Sequence, residues 1–269
     1  VYIDCTFGGG GYSKKLLKFS KTKVIALDRD KFILGISKDL EKKYPNRFFF
    51  HQKKFSEVNK VVNNQSADAV VFDLGLSSIQ LNNLQRGFSF NSKETLDMSM
   101  GLSLTSAEEV INNCSEQKLR SIIKILGEEK DASRIAKNII KTRSLKKITK
   151  VDQLVEIIEK SKKKNYTNKI NPSTKTFQAL RIFVNKEISE LIFGLINAAK
   201  VLKKGGILGV VTFHSLEDKI VKYFFKSLSE NKSFSRYSPV VKQADTLFNL
   251  IHKKPIIPSE EEVSENPSS

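Results

Sequence analysis

Cysteine is too scarce in this chain to hold a fold together. Cys5 and Cys114 are the whole supply, which excludes a disulfide framework and points to a reducing, cytoplasmic compartment. Histidine is nearly as rare. His51, His214 and His252 are scattered, and with two cysteines they make a poor zinc set, so no metal is expected. Long apolar runs are missing too: Ala69–Phe72 and Ile207–Val211 are far too short to cross a bilayer, and no membrane partner is expected. No signal-peptide pattern and no internal repeat stand out. The acids are outnumbered, 29 against 46 lysines and arginines, for a formal charge of +17. A surface that basic attracts polyanions, nucleic acid first. Only eight of the 46 are arginine. A lysine-biased composition therefore explains part of the charge, and each arginine is worth locating.

What the sequence does have is glycine in one place. "VYIDCTFGGGGYSKKLL" (1–17) runs from a β-branched and aromatic stretch through Gly8–Gly11 into a helical pattern. Strand, glycine turn, helix is how an α/β sheet brings bare backbone up to a ligand. Strand-like runs follow at 23–28, 47–51 and 67–74, with helical patterns at 14–19, 31–43 and 56–62 between them, so the first hundred residues predict a parallel sheet with flanking helices. From Ser103 the strand signal stops. Ser106-Ala-Glu-Glu109 fits a capping box, and apolar residues at helical spacing predict four helices, an all-helical insertion. The α/β pattern resumes with a helical stretch over 174–203, in one or two pieces, stopped by Gly205-Gly206. A buried strand at 207–213 and a helix at 216–226 come next. The end, "HKKPIIPSEEEVSENPSS", reads as loop. Because the chain starts inside a strand pattern and stops without a closing strand, both native ends are expected to be missing.

As a dinucleotide fingerprint the glycine loop fails, since Ser13 or Lys14 stands where the third glycine should be. Asp28, at the end of the next strand in "VIALDRD" and twenty residues past Gly8, can accept hydrogen bonds from both ribose hydroxyls of an adenosine. That acid serves NAD and S-adenosylmethionine alike. Asp4, just before the glycines, fits the methyltransferase pattern better. Asp73 ends the apolar strand "VVFD", at the edge where open α/β sheets bind ligands, and Phe55, just past another strand end, can cover an adenine face.

Four longer stretches carry a resemblance. "DLGLSSIQLNNLQRGFSF" (73–90), "LDMSM" (96–100), "TFQALRIFVNKEISEL" (176–191) and "VVTFHSLEDKIVKYFF" (210–225), in this order, resemble the MraW-type ribosomal RNA methyltransferases. The resemblance covers nearly the whole chain, including the acidic "EEEVSENP" near its end. It implies an α/β, Rossmann-like class I methyltransferase sheet with an inserted all-helical domain. Residues 1–102 and 171–269 would be the S-adenosylmethionine-binding core, and 103–170 a helical insertion for RNA recognition. It implies methylation of the N4 amine of a cytidine in the decoding region of 16S ribosomal RNA. The partner would be that RNA or the assembled small subunit, and a homodimer is compatible with it. Cofactor contacts fall on Gly10, Gly11, Tyr12, Asp28, Phe55, Asp73 and Gln80. The sequence departs from the family at several places: Gly9 and Tyr12 stand where arginine and histidine are usual, Ser99 and Gly101 where arginine and aspartate are, and Ile79 where proline is.

For catalysis, an acceptor near N4–H would raise the nucleophilicity of the amine and take up its proton. Asp73, the carbonyls and hydroxyls of "GLSS" after it, and His214 at the end of "LGVVTFHS" are the candidates; a strand-end histidine held by hydrogen bonds is the plainer reading of the last. Arg86 and Arg181 lie inside the family stretches and are candidates to touch RNA, against the alternative of salt bridges with, for example, Asp97 or Glu187. Phe88 and Phe90 could stack a base but match a core pattern equally. Lys137, Lys141, Arg143, Lys146 and Lys147 could grip phosphates or merely solvate a helix. Two rival functions stay open: a nicotinamide-dependent oxidoreductase, which shares Asp28, and a non-catalytic RNA-binding protein that keeps the fold.

Overall fold

A computed structural model describes residues 1–162, 171–229, 246–252 and 254–265. The chain divides into two compact units, Val1–Glu217 and Asp218–Ser269. The first contains a five-stranded sheet in the order β3-β2-β1-β4-β5, with every pairing parallel. Its strands are β1 (Tyr2–Asp4), β2 (Val24–Asp28), β3 (Phe48–Gln52), β4 (Ala67–Asp73) and β5 (Leu202–Val211). Order reverses between β1 and β4, so a crevice opens at their carboxyl ends. Asp4, Asp28 and Asp73 are the last residues of β1, β2 and β4, and therefore share that edge.

The helices between the strands begin with α1 (Gly11–Leu17), α2 (Leu34–Lys43) and the short α3 (Ser78–Asn82). The helical stretch then supplies α4 (Ala107–Asn113), α5 (Glu116–Leu126), α6 (Ala132–Arg143) and α7 (Val151–Ser161). Ser106 and Glu109 close the capping box at the start of α4. The helical spacing buries Leu119, Ile122 and Ile123 on α5 and Ile135, Ala136 and Ile139 on α6. Each large aliphatic side chain so buried contributes about 1.5–3 kcal/mol. These residues share one apolar core with Phe88, Leu96, Met98 and Met100, and with Phe177 and Leu180 of the next helix, α8 (Thr174–Asn185). Phe88 is buried in it, and Phe90 packs edge-on against Phe177, so both rings are core residues. Part of the stretch 103–170 lies outside the described residues.

Two boundaries differ from expectation. The helices α8 and α9 (Glu187–Val201) end before the glycines, and β5 already begins at Leu202. Ala67 pairs with Leu202 and Ala69 with Ile207, so residues 203–206 bulge from the strand, with Gly205 at φ +78°. The glycines thus shape a strand irregularity instead of stopping a helix. Residues 260–265, expected as loop, form the short helix α11 (Glu260–Glu265), whose first turn is acidic and so complements the helix dipole. Helix α10 (Ser215–Ser229) precedes it, and in the second unit Phe224, Phe225 and Phe248 form a ring cluster with centroids 5.6–6.0 Å apart. Among the described residues no helix is long and apolar enough to cross a membrane.

Candidate active site

The glycine loop hangs from Asp4. This carboxylate is 1% exposed and accepts the Ser13 hydroxyl at 2.6 Å and the Thr6 N–H at 3.2 Å. Ser13, which occupies the place of a dinucleotide loop's third glycine, is thereby a fixed anchor between β1 and α1. Gly8 and Gly10 have φ of +48° and +77°, a backbone that a side chain would strain. Gly9 and Gly11 differ: a Cβ there would meet nothing within 4 Å. The fold does not need glycine at those two positions, and at Gly9 the family's usual arginine would fit the same open space.

Asp28 closes the loop from the other side. One carboxylate oxygen accepts the Gly8 N–H and the other the Asp30 N–H, each at 2.8 Å. Across the switch point the Asp73 N–H donates to Thr6 Oγ1 at 2.6 Å. Its half-buried carboxylate takes no hydrogen bond from the described residues. Burial raises the pKa of all three acids, to about 6 for Asp4, where the bonds from Ser13 and Thr6 oppose the shift. At Asp28 the two amides oppose it, and at Asp73 desolvation acts alone. The neighbouring Arg29 turns away, donating to the Met100 and Asn185 carbonyls and to Ser103. Arg29 therefore acts on Asp28 only through space, and no side-chain cation bonds to the three strand-end carboxylates among the described residues.

This is a test of the two cofactor classes. S-adenosylmethionine brings a sulfonium, an ammonium and ribose hydroxyls, all of which suit three desolvated carboxylates. A dinucleotide would bring an anionic pyrophosphate into the same acids. Three carboxylates at this edge favour the cationic cofactor over the anionic one.

Asp4 also predicts a pH effect. With a folded pKa near 6 against about 3.8 unfolded, the native state holds the extra proton, so Asp4's own contribution to stability is greatest below pH 4 and is lost as pH rises through 6. The loss is on the order of 3 kcal/mol. Asp4→Asn is expected to raise the urea midpoint at pH 8 while giving no gain at pH 4. An equal change at both pH values would contradict the assignment.

The remaining expected positions are placed as follows. Phe55 follows β3 and meets Phe72 edge-on at 5.4 Å between centroids. Gly194 on α9 makes room for it, since a Cβ there would lie 2.7 Å from the Phe55 ring. Tyr12 is 38% exposed on the first turn of α1. Gln80, buried on α3, accepts the Ser77 N–H and donates to Asp30 Oδ2 at 2.9 Å, which leaves one amide hydrogen for a ligand.

His214 is not on the strand. It stands just before α10, where Nδ1 accepts the Glu217 N–H at 3.3 Å. That bond puts the proton of the neutral ring on Nε2, which lies 3.2 Å from Glu217 Oε1 without the alignment of a hydrogen bond. The remaining lone pair of the neutral ring, on Nδ1, is the one that accepts the Glu217 N–H. Glu187, His214 and Glu217 lie close enough to share a cation. One fact counts against a cation there: Glu187 is already clamped by Arg181 through two bonds of 2.9 Å.

The arginines are inward. Arg181 makes the pair with Glu187 that the sequence suggested, and Arg86 pairs with Asp30 and not with Asp97. Neither guanidinium is offered to a phosphate. Arg143 donates to the Ile111 carbonyl and Lys147 pairs with Glu108, whereas Lys137, Lys141 and Lys146 are exposed. Reasoning from sequence missed Asp30, Thr6 and Ser13; the i, i+2 spacing of acids in "DRD" was the available signal for the first.

The sequence model of the MraW methylase family matches residues 1–269. Three similar proteins carry the name ribosomal RNA small subunit methyltransferase H. The one from Ehrlichia canis is 42% identical over all of this chain and 90% of its own. That from Bartonella grahamii is 44% identical over 99% of this chain and 80% of its own. That from Afipia carboxidovorans is 40% identical over 99% and 81%.

Proposed function

The chain belongs to the MraW methylase family, and from that membership we propose that it transfers a methyl group from S-adenosylmethionine to the N4 amine of a cytidine in the decoding region of 16S ribosomal RNA. The relatives' name supports ribosomal RNA of the small subunit as substrate, either free or in the assembled subunit. The observation that carries the cofactor reading is the trio of desolvated strand-end acids around a glycine loop with open backbone.

When bound, the cofactor supplies an electrophilic methyl on a sulfonium. The chain's own residues then have separable tasks. Asp28 would accept the ribose hydroxyls, and the bare backbone at Gly10 and Gly11 would let the amino-acid end lie close. Phe55, braced by Phe72, offers an apolar wall for the base of the cofactor. The transfer is an in-line displacement, so alignment and exclusion of water supply most of the rate. Asp73 fits the remaining chemical need. It has unclaimed acceptor capacity at the crevice and a pKa raised by burial, so it can accept from N4–H and take up the proton as the bond forms. His214 fits this task less well, because its Nδ1 is taken by the Glu217 N–H and its Nε2 lies beside the Glu217 carboxylate. The target base must be unpaired or turned out of its stack to reach Asp73. Exposed Lys137, Lys141 and Lys146 are the cations we assign to backbone phosphates, in place of Arg86 and Arg181.

The test is transfer itself. Purified protein is given methyl-labelled S-adenosylmethionine and small ribosomal subunits from cells lacking the modification. Label is expected in the RNA. Cofactor binding without any transfer would keep the site and refute the substrate.

A further inference from the structure

We propose that the buried Arg86–Asp30 pair positions Asp28 for the cofactor, and that Arg86 is in this way a positioning residue of the methyl-donor site. The inference rests on reading Asp28 as the ribose acceptor. Arg86 is 6% exposed, and its Nη1 donates to Asp30 Oδ2 at 2.5 Å. Gln80 Nε2 donates to the same oxygen at 2.9 Å. The other Asp30 oxygen accepts the Phe32 N–H at 3.1 Å, capping the 3-10 turn Lys31–Ile33. Asp30 is thereby fixed at both oxygens, and its own N–H is the donor that holds Asp28 Oδ1.

A chain of charge-assisted bonds thus runs from Arg86 through Asp30 to Asp28 and on to Gly8 of the glycine loop. Geometry explains why the position holds arginine in a chain so rich in lysine. The guanidinium lies between the Phe32 and Phe88 rings, at 4.7 and 5.0 Å, while Nη2 donates to the Ser99 carbonyl at 2.9 Å. A planar fork can stack on both sides and bond in two directions; an ammonium cannot. The same bonds fasten residues 77–86, which carry Gln80, to the turn after β2. Ser99 serves Arg86 through its backbone carbonyl, while its hydroxyl donates to Asp97 at 2.9 Å.

Three full-length proteins decide it: the wild type, Arg86→Lys, and the double variant Asp30→Asn with Arg86→Gln. The double variant leaves no orphaned buried charge and so guards against simple unfolding. Each is titrated with S-adenosylmethionine by calorimetry, unfolded in urea without cofactor, and assayed for binding to small ribosomal subunits without cofactor. Both variants are expected to bind S-adenosylmethionine about tenfold more weakly, the scale of one charge-assisted hydrogen bond to the ribose. Their affinity for subunits should stay within about twofold of wild type on the same scale. In Arg86→Lys the KM for cofactor should rise while kcat at saturation holds. Unchanged cofactor affinity with lost subunit affinity would make Arg86 an RNA contact and overturn the proposal. Weakening that merely follows a lowered urea midpoint would overturn it too. A wild type that does not bind the cofactor would refute the reading of Asp28, a result separate from either.

Discussion

Asp28→Ala is expected to weaken S-adenosylmethionine binding by at least about 100-fold. Two hydrogen bonds from ribose hydroxyls to a carboxylate are each worth about 1.5–3 kcal/mol, and a factor of 10 costs about 1.4 kcal/mol. The substitution also releases the Gly8 and Asp30 amides that the two oxygens hold. The loop therefore loses its brace along with its ligand. Asp28→Asn should fall between: an amide can accept one of the two N–H bonds but must present its NH2 to the other. Calorimetric titration of the purified variants checks both values. A dissociation constant for Asp28→Ala within threefold of wild type would remove Asp28 from the site.

The second large effect belongs to Asp73, and it should appear in a different constant. Asp73→Asn keeps an acceptor oxygen for N4–H but cannot take up a proton. The expected result at saturating cofactor is a fall in kcat of about 100-fold, the low end of what a positioned acid or base contributes, beyond the loss of cofactor affinity that removing one of the three charges brings. The carboxylate's raised pKa gives the sign of the pH dependence. Rate should rise with pH as Asp73 loses its proton and then level off, and that step should vanish in Asp73→Asn. A variant with normal kcat and poor cofactor affinity would make Asp73 a binding group only. Proton uptake would then fall to solvent or to the carbonyls that follow.

Much of this site could be read from local sequence because its parts sit at strand ends. An apolar run followed by an acid needs no knowledge of the rest of the chain, and Asp4, Asp28 and Asp73 were each found that way. The parallel pairing then brought them to one edge. The capping box at Ser106 was equally local. What stayed hidden depended on contacts between distant segments. Arg86 and Asp30 are 56 residues apart, and no pattern around either names the other. Asn185, buried and bonded to Met98, Met100 and Ser103, looked like an ordinary helix residue. The tautomer of His214 follows from one backbone amide three residues on, a detail of geometry that composition does not carry. Gly205 and Gly206 were misplaced for a related reason. Glycine after a helix is a common stop signal, and here the partner strand decides that the same residues form a bulge.

The methyl is expected on a single exocyclic amine. Small ribosomal subunits methylated by the protein with labelled S-adenosylmethionine should be digested to nucleosides and separated by mass and retention against standards. Label is expected in N4-methylcytidine from a single decoding-region fragment, and it should be lost with Asp28→Ala. Label on a ring carbon, a ribose hydroxyl or another base would contradict the role given to Asp73 and to the crevice it lines.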